Sequence, residues 1–482
     1  MHGRPYKAAL ASIAVVLLVA VSFLQQGLNR QRSKLGLTRV TPLENAPPVL
    51  AFTTVALGGF RGLIANVLWV RASDLQDEGK YFEQVQLADW ITKLEPTFVD
   101  VWVVQAWNMA YNISVKLRDP YDRWRWVQSG IELLRDQGLK YNPKEALIYR
   151  ELAWFFQHKM GQNLDDAHLV YKFEWGKEMT RVLGGGRPNY AELLNPKTDE
   201  ARERVRLLRE KYKMDPAIMK RADESYGPLE WRLPEASAIY WAMVGLDNSK
   251  KSELITLRRV IYQSLQTSVI RGRILLVRAD GSFVFGPDLN KIPMAAEGYE
   301  RMLKEETEKP ESVTRAYRNF LKEAVFMLYT HNRTAEAERW LKVLKEKFPD
   351  AVPAGQNAAE FALRRLTDTV SDVDHNRKKA LVEGLLRQHF ENLVLEEDDR
   401  AAGALNMAKR MWDYYDSSIR FRREALQFEP FPEMYQRVRD ELIDAKTGML
   451  PEYAARLRTK LGLPPPAAVS TNVPAPPPGT QK

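Results

Sequence analysis

The chain has 482 residues, of which 45% are hydrophobic and 28% are charged, and it contains no cysteine. This composition supplies enough apolar side chains for a core and excludes a largely disordered protein. The lack of cysteine excludes disulfides, thiol nucleophiles and cysteine-bound clusters or haem. The net charge of +9 arises from 71 basic and 62 acidic residues that are interspersed along the chain, which argues against nucleic-acid binding.

Residues 8–24 form the longest uncharged apolar run of the chain, AALASIAVVLLVAVSFL. A helix over this run would be about 26 Å long at about 1.5 Å per residue, near the lower limit for crossing a bilayer. We therefore predict an N-terminal membrane anchor over residues 1–28. A cleavable signal peptide is the alternative, because Arg4 and Lys7 precede the run and residues 20–22 resemble a cleavage site.

The segment 29–64 is predicted to lie next to the membrane. It begins with basic residues suited to anionic lipid headgroups, Arg30, Arg32, Lys34 and Arg39. Four basic residues follow the apolar run and two precede it, which by the positive-inside rule would place the bulk of the chain in the cytoplasm. The absence of cysteine instead favours an oxidising compartment. We expect a single-pass protein of a bacterial inner membrane with most of the chain in the periplasm.

A second apolar stretch runs from Val49 to Val70 and is interrupted by Arg61. An arginine at its centre would be costly in lipid, and the glycines around it weaken a helix. We therefore expect this stretch to lie on the membrane or under the first helical unit rather than to cross the bilayer.

Residues 65–183 show apolar side chains at helical spacing, in successive pairs of short helices. The first helix carries Leu68, Ala72 and Leu75 and ends near Gly79, and the second carries Tyr81, Val85, Ala88 and Ile91 and ends at Pro96. The next pair starts around Trp102, Ala106 and Met109 and ends at Pro143 after an insertion over residues 116–123. A third pair begins at Ala146, with Tyr149, Leu152, Ala153 and Phe156 on one face.

These offsets resemble the tetratricopeptide repeat (TPR), a helical hairpin of 34 residues. The matching positions are Gly79, Tyr81 and Pro96, then Trp102, Ala106 and Pro143, then Leu152, Ala153 and Phe156, and far downstream Leu321, Ala324, Leu328, Ala337, Leu341, Leu344 and Pro349. Arg71, Gln84 and Gln105 depart from the pattern. The resemblance implies a mainly α fold, in which a TPR-like α-solenoid follows the transmembrane helix. An irregular array of helical hairpins is the alternative.

The rest of the chain divides into three predicted parts. Residues 184–312 form a helical linker region, with a long solvated helix over 198–223, helices over 236–246 and 254–271, and a β-hairpin near 274–285 that braces the array. Residues 313–463 form a second helical repeat region. The proline-rich residues 464–482 are a disordered tail.

A search for catalytic and metal-binding motifs finds no strong candidate. No two of the six histidines are spaced four apart, and Asp372, Asp374 and His375 are more simply explained as helix-capping residues than as cation ligands. We therefore predict no catalytic residue, no metal and no cofactor.

Eight of the twelve tryptophans lie between residues 69 and 175. We assign Trp90 and Trp102 to the core. The resemblance implies a concave groove, which would be lined by the first-helix positions Asn66, Trp69, Ser73, Val103, Trp107, Tyr111, Arg150, Trp154, Gln157 and His158. Aromatic anchors with a few polar groups are typical of peptide-binding hot spots, although core packing is the alternative for these residues.

Two classes of function follow. The favoured one is a membrane-anchored scaffold that binds a protein or peptide partner in cell-envelope assembly, secretion or transport. The alternative is an envelope enzyme that acts on polysaccharide through scattered carboxylates. If the groove interpretation holds, truncating Trp102 should unfold the protein, whereas truncating Trp107 should leave its melting temperature nearly unchanged.

Overall fold

The structure, a computed structural model, describes residues 60–162, 164–249, 254–277, 283–305, 310–368, 375–419, 429–444 and 448–464, together with individual positions between 13 and 31. Within these residues the protein is mainly α-helical, with one two-stranded antiparallel sheet. Many helices pack against the next helix in the chain, as expected for a helical repeat fold. The predicted mainly α class with a single hairpin is confirmed at this level.

Most of the predicted anchor lies outside the described residues. Positions such as Ile13, Val16 and Phe23 are described, and they are helical and exposed. Across the part of the chain that the structure describes, no helix combines the length and the apolar character needed to cross a membrane. The predictions for Arg32, Lys34, Arg39, Asp372, Asp374 and residues 465–482 also concern residues outside the described ones.

The first helical pair consists of α1 (Phe60–Asp77) and α2 (Tyr81–Leu94). Gly79 adopts a left-handed conformation (φ +72°) in the turn between them, which is favourable for glycine. Ala65, Ala72 and Ile91 are among the residues of a small core in this pair. Trp90 does not join that core.

The assignment of Trp90 to the core is wrong, because its side chain is 47% exposed. The buried residues of α2 lie on one face of the helix, at Gln84, Ala88, Ile91 and Thr92. Trp90 precedes Ile91 by one position, about 100° around the helix, and therefore points away from α1. The assignment of Trp102 is confirmed, since only 4% of that residue is exposed.

The second and third pairs contain π-helical segments that the sequence pattern did not indicate. In chain order the elements are α3 (Val99–Trp107), a π segment (Asn108–Ile113), a 3₁₀ turn (Ser114–Lys116), α4 (Pro120–Glu132), a π segment (Leu133–Gly138), α5 (Leu139–Tyr141), α6 (Ala146–Trp154), a π segment (Phe155–Met160) and α7 (His168–Leu183). Asp119 caps α4 by accepting a hydrogen bond from the Tyr121 amide at 2.7 Å.

The helix α7 ends where the glycine run begins, because Gly184 is left-handed (φ +73°) at its C-terminus. The expected single helix over 198–223 is wrong. Two helices occupy this region, and Asp215 caps the second by accepting a hydrogen bond from the Ala217 amide. The elements of the region are α8 (Tyr190–Leu194), α9 (Asp199–Glu210), α10 (Pro216–Tyr226), α11 (Pro234–Asn248) and α12 (Leu254–Arg271). The last two agree with the sequence prediction.

The predicted hairpin is present as β1 (Arg273–Val277) and β2 (Phe283–Gly286), with Ile274 opposite Phe285. Its Phe283 ring lies 6.0 Å from the Phe173 ring of α7, edge to face. A hairpin is marginally stable alone, and this contact shows that it packs on the helical array as expected.

The C-terminal region is again helical. After a 3₁₀ turn (Leu289–Lys291) it contains α13 (Ile292–Glu305), α14 (Pro310–Thr330), α15 (Thr334–Lys347), a 3₁₀ turn (Pro349–Ala351), α16 (Ala358–Asp368), α17 (His375–Val394), α18 (Asp398–Ile419), α19 (Phe431–Ile443) and α20 (Pro451–Lys460). The downstream repeat match falls on α14 and α15, and its helical positions Leu321, Ala324, Leu328, Ala337, Leu341 and Leu344 are all buried. One continuous core connects this region to the second and third helical pairs.

Candidate functional site

Four ring side chains, Trp107, Tyr111, Trp154 and His158, form what we call the aromatic cluster. The Trp107 and Tyr111 rings stack with centroids 4.2 Å apart, and the Trp154 and His158 rings stack at 4.5 Å. Both pairs have the same sequence offset of four. All four side chains are half-buried, so the cluster reaches the surface.

Each stacked pair spans the start of a π-helical segment. A π turn closes i→i+5 hydrogen bonds and is therefore wider than an α turn, and side chains four positions apart are neighbours on a helix surface. Tyr111 lies inside the segment Asn108–Ile113, and His158 lies inside Phe155–Met160. Segments of this kind are frequently found at functional sites.

Hydrogen bonds join the two halves of the cluster and hold it in place. The Tyr111 hydroxyl lies 3.1 Å from Nδ1 of His158. Trp107 Nε1 donates to Oε2 of the buried Glu151 at 2.6 Å, and Arg150 forms an ion pair with the same carboxylate at 2.6 Å. Burial raises the pKa of Glu151, while these two partners oppose the shift.

The bond to Glu151 changes the expectation for Trp107. Truncating this side chain would remove a donor from a buried carboxylate, a loss of about 1.5–3 kcal/mol. Trp107 therefore stabilises the fold in addition to forming part of the surface cluster. We expect its truncation to lower the melting temperature.

On one side of the cluster lies a cleft of about 430 Å³, which we call the amide cleft. One wall carries Trp154, His158 and Gln162, and the other is a stripe along α12, formed by Gln263, Gln266, Thr267, Ile270 and Arg271. The buried Gln157 bridges the walls, since its Nε2 donates to the Val260 carbonyl at 2.9 Å and to the Ser264 hydroxyl at 3.2 Å.

On the other side lies a second cleft of about 370 Å³, which we call the charged cleft. It is lined by Tyr111, Val115, Arg123, His158, Lys159, Leu164, Asp165 and Asp166. His158 thus borders both clefts, and the aromatic cluster separates them.

Asp165 organises the charged cleft. It accepts hydrogen bonds from Lys159 at 2.5 Å, from the Tyr171 hydroxyl at 3.0 Å and from the Ala167 amide at 2.9 Å, and it pairs with Arg123 at 3.2 Å. Burial alone would raise the pKa of Asp165, but the bonds from Lys159 and the Ala167 amide lower it to about 2. This carboxylate is therefore ionised and fully engaged in holding the loop that follows the π segment.

The structure brings six of the ten predicted groove residues together: Trp107, Tyr111, Arg150, Trp154, Gln157 and His158. Gln157 is the most deeply buried of the six. Val103 is half-buried against the main core. Asn66 and Ser73 are exposed on α1, and Trp69 packs on Phe98 at 5.5 Å in the small first core.

Sequence analysis missed the second wall of the amide cleft. Gln263, Gln266, Thr267, Ile270 and Arg271 follow the spacing of one helical face, so a polar stripe on α12 was detectable. Its position opposite Trp154 was not, because that contact joins segments about 100 residues apart. Lys159, which donates to Asp165, was also missed.

Acidic side chains and histidines at the site can be compared with the requirements of a metal ion. Within the described ranges, no group of three or more histidine, aspartate or glutamate side chains is arranged to hold a metal ion. The two carboxylates that line the charged cleft, Asp165 and Asp166, both pair with Arg123.

Comparison with known proteins does not assign a family. No protein-family model matches the chain, and no curated protein matches it.

Proposed function

We propose that the protein is a membrane-anchored, TPR-like helical-repeat scaffold that binds a protein or peptide partner at the aromatic cluster. Its role would lie in cell-envelope assembly, secretion or transport. The observation that carries the proposal is that four stacked ring side chains stay half-buried between two open clefts. Large aromatic side chains at a surface cleft are typical anchors for a partner.

The rigidity of the cluster supports a binding role. The Tyr111–His158 and Trp107–Glu151 hydrogen bonds fix its rings before any partner arrives. A preformed site avoids the loss of side-chain entropy that binding would otherwise entail.

The membrane part of the proposal rests on residues 8–24 and on the outer face of α1. Leu63, Val67 and Val70 are spaced four and three residues apart, so they share one face of that helix, and all three are exposed. An apolar stripe in the first described helix after the anchor is suited to contact with lipid. We propose an inner-membrane location with the body of the chain in the periplasm.

The alternative of an enzyme acting on polysaccharide gains no specific support. Cleavage of a glycosidic bond generally uses two carboxyl groups on either side of the bond, about 5–9.5 Å apart. At the charged cleft both carboxylates are paired with the same arginine, and no carboxylate is among the residues that line the amide cleft. At these two clefts the scaffold is therefore the better supported function.

Site-specific photo-crosslinking in native membranes tests the proposal. A benzoylphenylalanine at Ile270 would stand at the amide cleft, and the same residue at the similarly exposed Leu169 of α7 is the matched control. We expect a discrete crosslinked product from position 270 only, which disappears when Trp154→Ala is added. Identical patterns from both positions, or a product that persists without Trp154, would contradict a partner site here.

A further inference from the structure

The two walls of the amide cleft run in the same direction along the chain. Gln157 contacts Val260 and Ser264 near one end, and Arg271 donates to the Gly161 carbonyl near the other. The wall positions Trp154, His158 and Gln162 span eight residues, as do the stripe positions on α12. On the α-helix α12 this span corresponds to about 12 Å, which matches three to four residues of an extended peptide.

The polar groups of the cleft are suited to a peptide main chain. Side-chain amides carry both a donor and an acceptor, and so can pair with a backbone C=O and N–H. Some of this capacity is already used, because Gln266 Oε1 accepts from the Tyr299 hydroxyl and Gln157 Nε2 is bonded to α12. Gln162, Gln263 and Gln266 line the cleft. The Nε2 groups of these three side chains can donate hydrogen bonds to a peptide.

The end of the cleft near Arg271 combines two basic side chains with one carboxyl group. Arg271 lies 3.4 Å from the buried Glu235, and a second buried cation, Lys172, interacts with both of them. Lys172 also lies 2.8 Å from Nδ1 of His168, which is neutral near pH 7 because burial and Lys172 lower its pKa to about 4. Arg271 and the partly protonated Lys172 therefore lie close to one buried carboxyl group, and burial raises the pKa of that group.

Arg271 also affects the protonation of Lys172. Burial, and after it the charge of Arg271, lower the pKa of Lys172 to about 7, while Glu235 opposes the shift. An added anion at Arg271 would relieve this repulsion, because opposite charges within a few ångströms favour the charged form.

We propose that the amide cleft binds an extended segment of the partner that carries a carboxylate, and that this carboxylate lies beside Arg271. The segment's main chain pairs with the glutamines, and an apolar side chain packs on Trp154. This inference rests on the proposed function and specifies the chemistry of the partner.

An immobilised peptide library probed with the full-length protein in detergent tests the inference. Each octapeptide containing aspartate or glutamate is paired with its asparagine or glutamine version, and every peptide is made with both an amidated and a free C-terminus. We expect at least tenfold stronger retention of the carboxylate member of the best pairs. Preference among amidated peptides identifies a side-chain carboxylate, and preference confined to free termini identifies a terminal one; both support the inference.

Charge variants at Ile270 keep the test independent of folding, since this side chain is half exposed at the Arg271 end. Ile270→Glu should weaken retention of acidic peptides about tenfold, and Ile270→Lys should strengthen it. Arg258→Gln is the matched control, because Arg258 lies on the same helix but pairs with Glu305 at 2.6 Å, away from the cleft. Arg258→Gln should leave the retention of acidic peptides unchanged.

Two results would overturn the inference in distinguishable ways. Equal retention of acidic and amide peptides that still depends on Trp154 would refute the carboxylate and leave the scaffold function standing. No retained peptide in any set would count against the peptide site and against the proposed function together.

Discussion

The contrast between Trp102 and Trp90 gives a quantitative test of the described packing. Trp102 is nearly fully buried in α3, and its ring lies parallel to that of Tyr141 at 6.0 Å. Its Nε1 donates to the Pro96 carbonyl at 2.9 Å. Trp90 belongs to the neighbouring α2 but is about half exposed.

Replacing Trp102 by alanine removes a large buried ring and leaves a cavity, which typically costs about 3–5 kcal/mol. The lost hydrogen bond adds little, because the Pro96 carbonyl still accepts from Asn142 Nδ2 at 2.8 Å. Trp90→Ala is a surface change with an expected effect of about 0.5 kcal/mol.

Hydrogen exchange measured by mass spectrometry reports the loss of stability in each helix separately, so it does not require that the whole chain unfolds in one step. With 1.4 kcal/mol for each tenfold change, Trp102→Ala should lower amide protection in α3 and α4 at least about 100-fold, and Trp90→Ala only a few-fold. Comparable losses in both variants would refute the burial assigned to these two helices.

Three further predictions concern charge, hydrogen bonding and topology. Trp107→Phe should lower the local free energy of unfolding of α6 by about 1.5–3 kcal/mol, measured by hydrogen exchange, because it removes the donor to the buried Glu151; unchanged amide protection in α6 would contradict that bond. The pKa of Lys172 is about 7 in the folded state and 10.5 in the unfolded state. The loss of stability caused by burying its charge is therefore complete below pH 7 and disappears as the pH rises to 10.5. Lys172→Met should therefore raise the melting temperature more at pH 6 than at pH 10, and an equal change at both would show that the charge is not the cause. Because the chain lacks cysteine, a single Leu164→Cys at an exposed position reports topology: we expect a membrane-impermeant maleimide to label it from the periplasm of intact cells, and labelling only after lysis would place the body in the cytoplasm.

Much of the helical architecture was predictable because it depends on local spacing. Ala337, Leu341 and Leu344 follow a helical period and are buried together in α15. Gly79 and Gly184 mark helix ends because both adopt left-handed conformations there.

Features that depend on tertiary contacts were not predictable in the same way. The π segments interrupt otherwise ordinary helices directly after Trp107 and Trp154, where the two stacked pairs lie. The prediction of one helix over 198–223 was based on charge content and overlooked Pro216. Proline commonly starts a helix, and α10 begins at this residue.

The groove was only partly predictable. A repeat register selects side chains on one face of each hairpin, and this brought Trp107, Tyr111, Trp154 and His158 into one group. It could not show that Trp69 packs in a separate small core, nor that α12 supplies the opposite wall of the cleft.

The most direct test of the central claim is the affinity of the crosslinked partner for variants of the full-length protein. Trp154→Ala should weaken binding at least about 30-fold, equivalent to a hot spot of about 2 kcal/mol. Trp412→Ala is the matched control, since Trp412 is half-buried in α18 and bonded to the Glu429 carbonyl, outside both clefts. We expect less than a twofold change for that control at equal thermal stability; equal loss in both variants, or full affinity without Trp154, would contradict a partner site at the aromatic cluster.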